Sequence, residues 1–245
     1  MAVAADPATP PDILEALAAD PSRTVRRALA ARGDAPAVLR ALTRDPDLKT
    51  RQILVENPAC PPDVLIALVE DPHGSVRWSL PDHPAADVGV RRTICRSEDE
   101  DLRRLLAERP ELDVETNAAL IRDRSANVRA GQAGNTDDPA ILATLTADAD
   151  PKVRAGAAQN PLATTDQLRR LATDRYAVVR AAAVKSGNLP QDELRRVAHD
   201  RSVNVRWWLA TWLATPETIL RILAEDPHPD VESQARAMLG RLFCG

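Results

Sequence analysis

Three stretches lie in register and decide the fold: DPSRTVRRALAARG at 20–33, DPDLKTRQILVENP at 45–58 and DPHGSVRWSLPDHP at 71–84. The same spacing continues along the chain, with units starting at Asp20, Asp45, Asp71, Ser97, Asp123, Asp148, Asp174, Asp200 and Asp226, always 25 or 26 residues apart. A fixed period of this length means one small unit repeated, each copy burying its apolar side against its neighbours. The repeat predicts a single domain over 1–245, with a half repeat at 1–19, core repeats at 20–225 and a C-terminal cap at 226–245.

With the starting residue as position zero, position five is Val25, Thr50, Val76, Leu102, Val128, Val153, Val179, Val205 and Val231. Position nine is usually Leu or Ala, as in Leu29, Leu54, Leu80, Leu106 and Leu209. Five and nine are one helical turn apart, so the first half of each unit reads as an amphipathic helix with a narrow apolar stripe. A break follows at Asn57-Pro58, Asn160-Pro161, Gly33 or Gly187. Pro61-Pro62-Asp63 and Thr215-Pro216-Glu217 then restart the chain with helix N-terminal signals, and a short second helix such as VLIALVED (64–71) closes the unit. The predicted class is an all-α solenoid of about nine two-helix repeats.

The pattern DPxxxVRxxxAxNPxxPPxxLxxLxxD resembles the leucine-rich repeat variant (LRV) family and, more loosely, HEAT repeats, over roughly residues 6–240. The resemblance implies a right-handed superhelix of paired helices, one of each pair short, α or 3₁₀. The best-known members of that family also carry an N-terminal cysteine-rich iron–sulfur segment. Here Cys60, Cys95 and Cys244 are far apart and without CxxC spacing, so that cofactor is not carried over and none is expected.

Composition narrows the function classes. Apolar residues make up 44% of the chain but aromatics only 2%, which suits closely packed small helices. The net charge is −4, without a basic block, which disfavours polyanion binding. Residues 1–11 lack the features of a signal peptide, and no apolar run is long enough to span a bilayer, so a cytoplasmic protein is expected. His73, His83, His199 and His228 fall at unrelated phases, with no metal-ligand or catalytic spacing.

Position six is Arg26, Arg51, Arg77, Arg103, Arg129, Arg154, Arg180 and Arg206, with Glu232 in the last unit. Such a ladder could serve phosphate, but Asp and Arg recur together, which points to structural pairs at the helix starts. Positions four, seven and eleven lie opposite the apolar stripe and, in HEAT-like solenoids, line the concave surface. This strip balances five positive charges against five negative ones and holds all three lysines, Lys49, Lys152 and Lys185. Ala130, Gly131, Ala155, Gly156 and Ala181 read as a floor that leaves room, flanked by Trp78 and Trp207. Trp208 falls at the edge of the strip. Trp212 and Leu213 replace the Asn-Pro break and are expected to pack beneath the last unit.

The reading is a non-enzymatic protein- or peptide-binding scaffold with partner-binding residues Trp78, Asp82, Arg104, Lys152, Lys185 and Trp207, and no catalytic or metal site. The alternative is a HEAT-like alkylpurine DNA glycosylase or another nucleic-acid-binding repeat protein, for which Trp78, Asp82 and Trp207 would be the matching residues. Because contacts in a repeat array run between neighbours, deleting residues 123–147 in phase is expected to leave a shorter folded array, whereas an equal deletion started at mid-unit is expected to unfold it. Circular dichroism and thermal melting of the two variants check this.

Overall fold

Each first helix starts from a residue held in extended conformation at position two. Asp47, Asp99, Ser125 and Asp150 accept the exposed backbone N–H groups of the first turn with their side chains. The computed structural model describes residues 2–243, with side chains for 3–241; Cys244 lies outside the described residues. All regular structure among them is helical. No helix among them is long and apolar enough to cross a membrane.

The chain forms two compact units, meeting in sequence between Leu120 and Ile121. In the first, the helices Arg23–Ala30, Leu48–Glu56, Gly74–Arg77 and Glu100–Ala107 alternate with Pro36–Ala41, Pro62–Leu68, Val88–Arg96 and Val114–Leu120. In the second, Ala126–Asn135, Pro151–Gln159, Ala177–Lys185 and Val203–Thr211 alternate with Pro139–Leu145, Thr165–Leu171, Gln191–Val197 and Glu217–Leu223, and Pro229–Phe243 closes the series. The second helices are short α-helices except Val88–Arg96, whose 9 residues exceed the 4 of the first helix Gly74–Arg77. Among the described residues 3₁₀ geometry is confined to Leu42–Arg44 and Leu80–Asp82. The latter has a local cause: Pro81 occupies a position where other units carry Ala30, Val55 or Ala107, and a proline has no N–H to continue the helix.

The apolar stripe is buried as its period requires. Thr50, Val76, Leu102, Val128, Val153, Val179, Val205 and Val231 are fully enclosed, together with Leu29, Leu54, Leu80, Leu106 and Leu209. Leucine pairs three residues apart, such as Leu65 with Leu68 and Leu142 with Leu145, bring in the second helices.

The expected floor is not open. Ala155 and Ala181 are only 7% and 5% exposed, and a Cβ added at Gly156 would stand 2.7 Å from the backbone oxygen of Ala130. The small side chains are used up in bringing neighbouring first helices together, because a helix face without side-chain bulk lets backbones approach.

The arginine ladder ties consecutive repeats. Nε of Arg154 donates to one carboxylate oxygen of Asp174 at 2.7 Å and Nη2 to the other at 3.1 Å, while Nη1 reaches the main-chain oxygen of Asp148 at the start of its own repeat. Asp174 in turn accepts the N–H of Tyr176. The same forked contact joins Arg26 to Asp45 and Arg51 to Asp71 in the first unit. In the second it joins Arg129 to Asp148, Arg180 to Asp200 and Arg206 to Asp226. Where Ser97 replaces the aspartate, Arg77 turns to Asp99, two residues on.

A second clamp lies at position twelve. The amide of Asn57 donates to the carbonyls of Ala30 and Arg32 in the preceding repeat, and that of Asn160 to Ala133 and Thr136. Arg32 reaches Ala4 and Asp6 in the same way. His83 substitutes for the asparagine: Nδ1 accepts the N–H of Ala85, which leaves Nε2–H to donate to the Asn57 carbonyl at 2.9 Å.

Burial works against ionisation of Asp148, Asp174, Asp200 and Asp226, but the arginine hydrogen bond and the N–H two residues on outweigh it, and each carboxyl is held below its usual range. A carboxyl lowered from an unfolded value of about 3.9 adds stability that is complete above that pH and is lost as pH falls through the folded pKa. The melting temperature is therefore expected to hold from pH 7 to about 5 and to drop below about pH 4. Arg154→Ala is expected to cost about 3 kcal/mol at pH 7, since it strands a largely buried carboxylate. That gap should narrow at pH 3; urea titrations at both pH values measure it.

Candidate functional site

In the first unit, Trp78 is 48% exposed and lies over Gly74, where an added Cβ would stand 2.7 Å from the ring. Gly74 thus makes the seat for the indole. Although partial burial opposes it, hydrogen bonds from Arg77, the Leu102 N–H and Trp78 together lower the Asp99 carboxyl. Asp82 is exposed but ion-paired with Arg109. Arg104 is held between Glu108, at 2.5 Å, and Asp101, at 3.6 Å. The charges of Asp82 and Arg104 are already answered within the unit.

In the second unit, Lys152 is exposed, with Nζ 3.4 Å from the side-chain oxygen of Asn127. Lys185 does something different. Its Nζ stands 3.5 Å from the centre of the Trp208 ring, a cation–π contact. Trp208 meets Trp207 edge to face, with centroids 5.0 Å apart and planes at 78°. Of the six residues expected from sequence, Lys185 and Trp207 are thus drawn into one aromatic cluster, while Lys152 engages a separate neighbour.

Two expectations about this cluster need correction. Trp207, expected on the open strip, is half-buried and packs on the core with Trp208 and Trp212. Trp212 and Leu213 do not both pack inward: Trp212 is half-buried and Leu213 is 77% exposed. The reason is the partner that Trp212 finds. Gly187 adopts φ +75°, and a Cβ there would stand 3.0 Å from the Trp212 ring, so the indole, besides packing on the core, lies against the break of the preceding repeat, while Leu213 turns outward.

Lys185, Trp208, Thr211, Trp212, Leu213 and Ala214 line a predominantly apolar cleft of ≈ 380 Å³. Sequence reasoning missed Trp208, Trp212 and Leu213 as its walls. The available signal was the loss of Asn-Pro at 212–213, a pair that at Asn57-Pro58 and Asn160-Pro161 clamps repeats together. Among the described residues no group of three or more His, Cys, Asp or Glu side chains is placed to hold a metal ion.

No family model matches the chain, and neither does any curated protein. Among solved structures the chain resembles a leucine-rich repeat variant with a novel repetitive structural motif, with a TM-score of 0.61 and 22% identity over 90% of this chain and 88% of that one. A designed armadillo repeat protein aligns over 95% of this chain and 99% of that one at 17% identity, with a TM-score of only 0.27. The class is an all-helical repeat array. More particularly, the chain has the leucine-rich repeat variant fold.

Burial ranks the tryptophans. Trp78→Ala is expected to cost under about 1 kcal/mol, and Trp207→Ala and Trp212→Ala about 2 kcal/mol each, as truncations of half-buried rings. Urea unfolding of the three variants gives the order.

Proposed function

We propose that the protein is a non-enzymatic scaffold that binds a protein or peptide along the strip of its first helices, the side that is concave in HEAT-like solenoids. The aromatic end of the second unit is its anchor, and the observation that carries this reading is the exposed apolar cleft beside Lys185. At Asn57, His83 and Asn160 position twelve hydrogen-bonds to the preceding repeat; here it carries a half-buried indole that forms one wall of the cleft. Exposed aromatic and aliphatic groups beside a cation form the kind of patch that anchors protein interfaces. Trp78 and Lys152 are further contacts on the strip, while Asp82 and Arg104, already paired, have a smaller share.

The DNA-directed alternative draws less support. The acid it would employ, Asp82, is occupied by Arg109, and the Arg ladder is committed to Asp partners. We further propose a cytoplasmic location for the protein.

The test is capture of partners from the native host by the parent protein and by Trp78→Ala, Lys152→Glu and Lys185→Glu variants of unchanged melting temperature. Loss of a specific partner with Lys185→Glu, and weaker capture with the other two, is the expected result. Undiminished capture by all three would place the interface on another side, and a fluorescence response to alkylated duplex DNA would favour the alternative.

A further inference from the structure

Two successive main-chain donors of the cleft at Trp212 are left without a partner among the described residues. At position fourteen the N–H of Ala59, Ala85, Leu162 and Asn188 is accepted by the side chain at position twelve of the same repeat: Asn57, His83, Asn160 and Ser186. Trp212 has no acceptor to offer to Ala214. Position thirteen adds a second difference. It is Pro58, Pro84 and Pro161 in three of these units, with no N–H, but Leu213 in this one. Among the described residues, no hydrogen bond engages the N–H of Leu213 or Ala214, and both residues line the cleft. The chain around them is otherwise satisfied: Thr215 donates its hydroxyl to the Leu209 carbonyl, and its N–H goes to Trp212.

Lys185 supplies the charge. Lys49 is within 3.9 Å of Glu56, but among the described residues Lys185 has no carboxylate partner and rests on the Trp208 ring. One ammonium, two successive main-chain N–H groups and apolar walls make a site for a single negative charge attached directly to an apolar group. A phosphate, with about two charges, would call for more cations than one lysine. A volume of ≈ 380 Å³ is at the low end for ligand sites, which run from about 300 to 1,000 Å³. It has room for the end of a chain, not for a folded element.

We propose that this cleft takes the free C-terminus of a partner polypeptide. The last residue's aliphatic or aromatic side chain lies among Trp208, Trp212 and Leu213, and its carboxylate meets the Lys185 ammonium and the N–H groups of Leu213 and Ala214. A chain terminus is the one peptide element that carries a carboxylate and an apolar side chain on the same α-carbon, and backbone donors are a recurring means of capturing it. The inference rests on the scaffold reading above and gives that scaffold a class of partner.

The experiment titrates the full-length protein with pooled octapeptides ending in Leu, Ile, Val or Phe and carrying a free carboxylate. The same pool with an amidated terminus, and an amidated pool with glutamate in the next-to-last position, serve as controls. Amide resonances of Leu213 and Ala214 and the tryptophan indole signals report occupancy; tryptophan fluorescence gives affinity. The free-acid pool is expected to shift these resonances and to bind at least tenfold more tightly than either amidated pool. Trp212→Asn restores the residue common at this position and recaptures the Ala214 N–H, and Lys185→Met keeps the apolar stem without the charge. Each is expected to lose at least tenfold in affinity when titrated well below its melting transition, with Lys185→Met melting as the parent does.

Equal binding of the amidated pool, equal binding of the internal-glutamate pool, or no binding by any pool would overturn the proposal. Self-association of the parent that Trp212→Asn abolishes would put a second copy in the cleft and overturn it too. A native partner captured through Lys152 and Trp78 without any of these peptide effects would sink this inference and leave the scaffold reading in place.

Discussion

The forked contact from an arginine to the aspartate of the next repeat is the interaction on which the other features depend. A repeat of 25 or 26 residues is too small to bury its own apolar stripe, so each copy must be set on its neighbour at a fixed distance and angle. Van der Waals packing of Val, Leu and Ala supplies attraction but little direction. The guanidinium plane supplies direction, because two parallel donors fit a carboxylate in one geometry. Its third nitrogen, bonded to the carbonyl of its own aspartate, fixes where the next helix starts. Arg154 thus touches both ends of its repeat at once.

The other interactions follow from that frame. Once the helix starts are held, the small residues can bring first helices close, as Gly156 does against Ala130. The helix ends come to lie beside the preceding break, where the amides of Asn57 and Asn160 and the imidazole of His83 clamp them. These interactions are cooperative in a plain sense. The ladder makes the clamp possible, and the clamp fixes the loop that leads to the second helix. Acid sensitivity is built into the same arrangement, since the carboxyls that hold the repeats together are the ones whose protonation would release them.

Against so regular a background, a departure from the rule is informative. Trp212 gives up a hydrogen-bonded clamp and takes an apolar contact with Gly187 in exchange. That exchange keeps the repeat in place but leaves Leu213 in solvent and the donors of two main-chain groups unclaimed within the unit. Trp78 is a milder case, seated on Gly74 in a repeat whose first helix is cut short ahead of Pro81. Surface chemistry in this fold arises where a position that elsewhere serves the scaffold has been relieved of that duty.

The sequence by itself determined the period, the helical class, the buried stripe at Val and Leu positions and the pairing of Arg with Asp, because each of these is a property of spacing along one chain. It also flagged Lys185 and the tryptophan cluster. Only the tertiary structure decided which aspartate each arginine takes, that Asp99 stands in for the missing partner at Ser97, and that the small-residue floor is consumed by helix packing. It likewise decided that Trp207 is half-buried while Leu213 is exposed. Helical phase gives the direction in which a side chain leaves its own helix; whether it then meets solvent or a neighbour depends on how far away the next repeat stands. That distance is set by contacts such as Gly156 on Ala130 and Trp212 on Gly187, which join residues about 25 positions apart and leave no mark in the local pattern of either one.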